Sequence, residues 1–301
     1  MKFVSFKNEI GLERSGLIMN DKVIDVNILT NGIVPHQMLG IIQGYHNYKP
    51  FLEQLHVEDR GVYHLNEVRL CAPLSNPISV RDFYAFEEHV KTARQRRGLN
   101  VVPEWYEMPV FYFTNHLAII GPNESLIKPR KTHALDYELE IACIIGKEGK
   151  NIDRKVAEDY IFGYCIMNDW SARDIQMKEM KVGLGPAKGK DFATSLGPYI
   201  VTSDELEQYR IGNRFNLEMI AKVNGKLLSC GNFKNIYYSF GEMIERASED
   251  VRLYPGDVIG SGTVGTGCIL ELGTEKHRWL ERGDIVELEI TGLGVLKNIV
   301  E

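Results

Sequence analysis

No stretch of this 301-residue chain approaches the roughly 18 consecutive apolar residues that a membrane-spanning helix needs. Met1-Lys2-Phe3 leads into strand-like sequence without a basic-then-apolar leader, so the chain reads as cytoplasmic with no membrane partner. Positive charge is not in excess either. Lys and Arg total 35 against 41 Asp and Glu, and the basic residues are dispersed apart from short clusters such as Arg94, Arg96 and Arg97. That excludes the basic stripe of a nucleic-acid binder. Cysteine is scarce, odd in number at five, and without a C-x-x-C pair, which reads as reduced core thiols and not as a disulfide framework or zinc knuckle. What is present is a 44% hydrophobic content, enough to bury one large core or one core with a smaller appended lobe.

The first thirty residues hold three short apolar runs, Phe3-Val4-Ser5-Phe6, Leu17-Ile18-Met19 and Val23-Ile24-Asp25-Val26. The turn-favouring pair Asn20-Asp21 separates the last two, which predicts a hairpin beside a third strand. From Gln37 to Leu55 the pattern turns helical, with Met38, Leu39, Ile42 and Tyr45 on one face and a break at Pro50. A small α+β lobe is therefore expected at residues 1–70. From Glu67 onward short apolar runs alternate with Gly, Pro and Asp turn signals, as in Pro255-Gly256-Asp257 and Arg282-Gly283-Asp284, so residues 71–301 read as a mostly antiparallel β domain. Helices are expected at about 84–97, 171–181 and 239–249. Periodicity alone leaves sandwich, roll and barrel open.

Chemistry concentrates in Leu135-Asp136-Tyr137-Glu138-Leu139-Glu140-Ile141-Ala142-Cys143-Ile144-Ile145. Its apolar continuation argues for a strand buried on both faces. On such a strand Glu138 and Glu140 point the same way, their Cα atoms roughly 6.6 Å apart. Two like charges beside a core need a cation or raised pKa values. An isolated E-x-E is more often a solvated edge, but a second apolar strand, Tyr160 to Met167, ends on Asn168-Asp169-Trp170. Three carboxylates without clustered His or Cys favour Mg²⁺, Mn²⁺ or Ca²⁺ over zinc. Asp169 reads equally as a helix N-cap for Ser171 to Gln176. Lys190 reads as a surface lysine and His89 as a surface helix residue on these grounds alone. Gly260-Ser261-Gly262-Thr263-Val264-Gly265-Thr266-Gly267 is a Gly-rich turn able to offer N–H groups and the Thr263 hydroxyl to an anion. It lacks the lysine of a P-loop.

In order along the chain, Glu138-Leu139-Glu140, Asn168-Asp169-Trp170-Ser171-Ala172-Arg173-Asp174-Ile175-Gln176 and Gly189-Lys190 resemble the fumarylacetoacetate hydrolase family over about residues 67–301. The resemblance implies an α+β, mostly β fold, a mixed β-sandwich roll or barrel with a small N-terminal lobe. It implies metal ligands at Glu138, Glu140 and Asp169. The segment Arg81-Asp82-Phe83-Tyr84-Ala85-Phe86-Glu87-Glu88-His89 adds, by the same resemblance, a fourth ligand at Asp82, a substrate-contacting Tyr84 and a catalytic His89. Tyr112 and Thr263 would contact substrate, Glu271 would orient His89, and Arg173, Gln176 and Lys190 would stabilise negative charge. The segment Met177 to Val182 departs from the family's pattern, and its further substrate-binding arginine has no clear counterpart among Arg94, Arg96 and Arg97.

The implied activity is divalent-metal-dependent hydrolysis of a C–C bond in a small diketo acid, such as fumarylacetoacetate or an acylpyruvate, by a homodimer. Other chemistries expected from such a site are dehydration of a 2-keto-3-deoxy sugar acid and decarboxylation of oxaloacetate. A protein of another class, silent in catalysis but binding metal or keto acid, keeps the same fold.

Overall fold

The computed structural model describes residues 1–55 and 60–301. The expected hairpin forms: strand β1 (Lys2–Lys7) pairs with β2 (Glu13–Met19), and β2 with β3 (Lys22–Asp25). Met19 faces Lys22 across the two-residue turn, where Asn20 takes φ 56°, as tight hairpin turns require of their first central residue. The following helical segment divides at Gly44 and not at Pro50. Helix α1 (Met38–Gln43) ends on Gly44, and α2 (Tyr45–Glu53) carries Pro50 inside it. The Tyr48 ring lies over the bare Cα of Gly44, where a Cβ would overlap it, so the chain turns at the residue that has no side chain to obstruct.

The remaining long strands are β4 (Val62–His64), β5 (Val80–Phe83), β6 (Phe111–Thr114), β7 (Leu139–Ile145), β8 (Ile161–Asp169), β9 (Thr194–Val201), β10 (Glu218–Val223), β11 (Lys226–Asn232), β12 (Val258–Gly260), β13 (Ile285–Ile290) and β14 (Gly294–Val300). Ten of the fourteen lie in one large mixed sheet, in the order β4-β3-β2-β1-β9-β8-β7-β12-β5-β6. The N-terminal strands thus continue the sheet of the rest of the chain, joined where Phe3 pairs with Ile200. The order β11-β10-β13-β14 makes a second, smaller sheet. Most pairings are antiparallel, and β12 with β5 is parallel. Both sheets are open-ended among the described residues, which leaves the mixed sheet-rich α+β architecture and removes a closed barrel.

The expected helices are shorter than their sequence windows: α3 (Glu87–Gln95), α4 (Arg173–Met180) and α5 (Phe240–Ser248). Ser239 opens α5 with a capping box, its hydroxyl accepting from the Glu242 N–H while the Glu242 carboxylate accepts from the Ser239 N–H at 2.8 Å. Ser171-Ala172, expected as helix, instead pairs with Leu135-Asp136. Among the described residues no helix is long and apolar enough to cross a membrane. Cys71, Cys143, Cys165 and Cys268 are buried, Cys230 is exposed, and none forms a disulfide.

Strand β7 is buried along its whole length, and its two faces serve different cores. Leu139, Ile141, Cys143 and Ile145 pack with Met219, Leu288 and Leu296 of the smaller sheet. Ala142 and Ile144 pack with Val80, Cys165, Met167 and Val258, and with Met38, Ile41 and Ile42 of α1. The side-chain period of two puts Glu140, Asp82 and Asp169 on this second face, each two residues beyond one of its apolar members.

Candidate metal and active site

At one end of that second face the apolar side chains give way to acids. Asp82 on β5, Glu140 on β7, Asp169 at the end of β8 and Glu138 just before β7 are all buried. One carboxylate oxygen from each lies within 4.8 Å of the others. Gly260 makes room for them: it stands between Asp82 and Ala142 in the ladder, and a Cβ there would meet Asp82 Oδ1 at 2.6 Å. The four acids that the sequence pointed to are therefore gathered by strand pairing. Asp169 does not cap α4, whose N-cap is Ala172; its Oδ2 accepts from the Tyr112 hydroxyl and, at 2.6 Å, from Lys190.

Two cations answer part of this charge. Lys190 Nζ lies 2.5 Å from Glu138 Oε2, and Arg173 lies 2.8 Å from Glu138 Oε1 and donates through Nε to Asp136 at 2.8 Å. Lys190 is only 3% exposed, so it is a member of the site and not a surface residue. Burial works against the charged form of Glu138, but Lys190 and Arg173 outweigh it and hold its carboxyl below the usual carboxylate range. Burial likewise opposes charge on Lys190, and Asp169 and Glu138 overcome it to hold the ammonium above its ordinary value. Neither Asp82 nor Glu140 is ion-paired in this way, and the pull of Lys190 on Asp82 is outweighed. Burial first, then Asp169 for one and Asp82 for the other, pushes both well above the carboxylate range. Asp82 Oδ1 and Asp169 Oδ1 are buried without a hydrogen-bond partner. Oxygen donors in surplus, unpartnered and held close together, fit a hard divalent cation.

His89, on the first turn of α3, is 4% exposed, against the surface reading that its helix alone suggests. Its Nδ1 lies 2.8 Å from Glu271 Oε2, but out of line for a well-formed hydrogen bond. Glu271 in turn accepts from the Thr266 N–H at 3.1 Å and from the Cys268 thiol at 3.5 Å.

Asp82, Glu138 and Glu140, both cations and His89 line one cavity of about 270 Å³. Tyr84, Tyr112, Gln176 and Thr263 join them. The Tyr84 hydroxyl is buried without a partner, and burial raises its pKa to about 12. Gln176 accepts from Arg173 through Oε1 at 3.3 Å, which leaves its amide N–H groups for the cavity. The Gly-rich turn does not present a free anion cradle: Gly262 N–H and the Thr263 hydroxyl point to the two oxygens of Glu140, at 3.1 and 3.4 Å. Sequence reasoning missed Asp136, which fixes Arg173 and also accepts from the N–H groups of Ile269 and Leu270. The alternation Asp136, Glu138, Glu140 carried that signal. It also left open the cluster after His89. Arg94 and Arg97 line the cavity, while Arg96 turns away to Glu275.

A profile of the family described as fumarylacetoacetate (FAA) hydrolase C-terminal matches residues 79–301. Fumarylacetoacetase of Arabidopsis thaliana is 31% identical over 312 aligned residues, covering 83% of this chain and 72% of the plant protein. The mitochondrial oxaloacetate tautomerase of Rattus norvegicus is 35% identical over 241 aligned residues, covering 78% of this chain and 70% of the rat protein. The solved structure of a fumarylacetoacetate hydrolase from psychrophilic Exiguobacterium antarcticum has a TM-score of 0.77 at 27% identity, covering 100% of this chain and 99% of that one.

Proposed function

This chain belongs to the fumarylacetoacetate hydrolase family, and from that premise we propose that it is a divalent-metal-dependent hydrolase cleaving a C–C bond in a small diketo acid of the fumarylacetoacetate or acylpyruvate type. The observation that carries the reading is a four-carboxylate cluster, three of whose members line the same cavity as a buried histidine that is itself paired with a carboxylate. Asp82, Glu138, Glu140 and Asp169 would hold the ion. A Mg²⁺, Mn²⁺ or Ca²⁺ ion bound there supplies Lewis acidity toward a keto-acid oxygen.

The chain's own residues do the rest. Glu271 faces Nδ1 of His89, which leaves Nε2 to take a proton from water. Lys190 uses two of its N–H donors on Glu138 and Asp169, so the third is available to developing negative charge. The free amide of Gln176 and the Arg173 guanidinium add to it, single donors of this kind being worth roughly 3 kcal/mol. The unpartnered Tyr84 hydroxyl, with Tyr112 and Thr263, would bind substrate. Residues 71–301 would act as the catalytic domain, with residues 1–70 appended, in a cytoplasmic homodimer.

A second reading, proton transfer or decarboxylation on a keto acid without water addition, is favoured by the likeness to the rat oxaloacetate tautomerase. Incubating Mg²⁺-loaded protein with acylpyruvates, fumarylacetoacetate, oxaloacetate and 2-keto-3-deoxy sugar acids, with a chelated control, separates the two. Chelator-sensitive cleavage of a diketo acid with water incorporated is the expected result. Turnover confined to oxaloacetate or a sugar acid moves the protein to the second reading, and no turnover across the panel returns it to a binding role.

A further inference from the structure

Beside the acidic cluster lies a second group of ligand-type atoms of different character. His89, Cys268 and Glu271 are all buried, and one donor atom from each lies within 4.8 Å of the others. Nδ1 of His89 is 2.8 Å from Glu271 Oε2, and the Cys268 sulfur is 3.5 Å from the same oxygen. In a tetrahedral zinc site with bonds of about 2.0–2.3 Å, ligand atoms stand roughly 3.3–3.8 Å apart. The sulfur–carboxylate separation falls inside that range and the nitrogen–carboxylate separation lies below it, so His89 and Glu271 would move apart by roughly 0.5 Å to seat an ion. His89 Nδ1 makes no well-aligned hydrogen bond although the residue is only 4% exposed.

We infer that His89, Cys268 and Glu271 form a second metal site, selective for a soft divalent ion such as Zn²⁺. Selectivity follows from donor chemistry. Thiolate and imidazole favour Zn²⁺, Co²⁺ and Cu²⁺, while the all-carboxylate cluster favours Mg²⁺, Mn²⁺ and Ca²⁺. Charge balance favours the same occupant, since one thiolate, one carboxylate and one divalent ion sum to zero. On binding, sulfur exchanges its proton for the metal and that proton leaves to buffer, while the imidazole proton rests on Nε2. Occupation would immobilise the histidine and its carboxylate partner together. Soft-metal inhibition of a hard-metal enzyme is the consequence, and this consequence alone rests on the function proposed above.

The test uses the full chain with Cys230, the exposed thiol, changed to Ser and the carboxylate cluster filled with excess Mg²⁺. One equivalent of Co²⁺ should produce a near-ultraviolet sulfur-to-cobalt charge-transfer band that Zn²⁺ displaces. Cys268→Ser should abolish the band and weaken Zn²⁺ inhibition at least about tenfold. Absence of the band, or its survival in Cys268→Ser, overturns the site. X-ray absorption of Zn²⁺ bound to the Cys268-containing protein gives a reading that does not depend on the variant folding. One sulfur at about 2.3 Å supports the site, and a sulfur-free shell overturns it. Sulfur ligation without loss of turnover upholds the site and instead removes His89 from the reaction.

Discussion

Lys190 and Asp169 sit 2.6 Å apart, Nζ to Oδ2, with both side chains almost wholly withdrawn from water. The same ammonium lies 2.5 Å from Glu138, so one cation holds two acids whose strands would otherwise repel at their ends. Lys190→Met removes the charge and keeps the bulk. Turnover should fall by about 10²–10³. The chelated variant should lose about 3–5 kcal/mol in urea unfolding, and added Mg²⁺ should recover part of that loss. A Lys190→Met protein as stable and as active as the parent would sink the assignment.

Asp82 and Glu140 keep their protons to unusually high pH when no cation is present. Their folded-state values lie above the unfolded ones, so the stability they contribute is complete below the ordinary carboxylate pKa of about 4 and drains away as pH climbs through the raised values. Glu138 is shifted the other way, and its contribution disappears only in acid. Melting temperature in EDTA should therefore decline as pH rises above the ordinary carboxylate range, and Mg²⁺ should flatten the decline. Metal binding should also expel protons. Calorimetry in buffers of different ionisation heat reads that release, and equal heats in all buffers would contradict it.

His89→Ala should retain the Mg²⁺ of the parent enzyme and lose turnover by about 10²–10⁴, because His89 is not among the four clustered acids. Glu271→Gln keeps the shape and removes the charge facing Nδ1; a loss of about 10–100-fold is expected. Metal content by mass spectrometry beside steady-state rates distinguishes these outcomes from Glu138→Gln, which should lose ion and activity together. Turnover retained in His89→Ala would end the water-activation reading.

Gly260→Ala tests the space behind the acids. The new methyl would stand 2.6 Å from Asp82 Oδ1 and 2.9 Å from the Met167 side chain, so Asp82 must move. Overpacking of this kind costs about 1–3 kcal/mol, and Mg²⁺ affinity should fall with it. Calorimetric titration of folded variant with Mg²⁺ decides the matter, unchanged affinity being the adverse result.

Sequence periodicity carried Glu140 on a buried strand and Asp169 at the end of another, while Glu138 lies just before its strand and Asp82 was implied by the family resemblance alone. It did not carry the partners that make them tolerable. Lys190, in the polar run Gly189-Lys190-Asp191, gives no sign in its own neighbourhood that it is buried 2.5 Å from a glutamate distant in sequence. Asp136 was visible as part of an alternation, yet its work is done on Arg173 and on two N–H groups near Glu271, all far along the chain. The break at Gly44 depended on where the Tyr48 ring would lie, a packing fact that outweighed the intrinsic cost of Pro50 in a helix. The continuation of the N-terminal strands into the large sheet rested on two residue pairs, Lys2 with Val201 and Phe3 with Ile200, to which local pattern is blind.

Strand β5 reaches the large sheet only through β12, where Asp82 lies beside Gly260. Glu138, Glu140 and Asp169 can be brought together by β7 and β8, neighbours along the chain, but Asp82 has no place to dock until the much later β12 has been added. The acidic cluster thus depends on two separate pairings, β7 with β8 and the non-local β5 with β12. An ion held by all four acids therefore reports that both pairings are in place, the non-local one as well as the one between neighbouring strands.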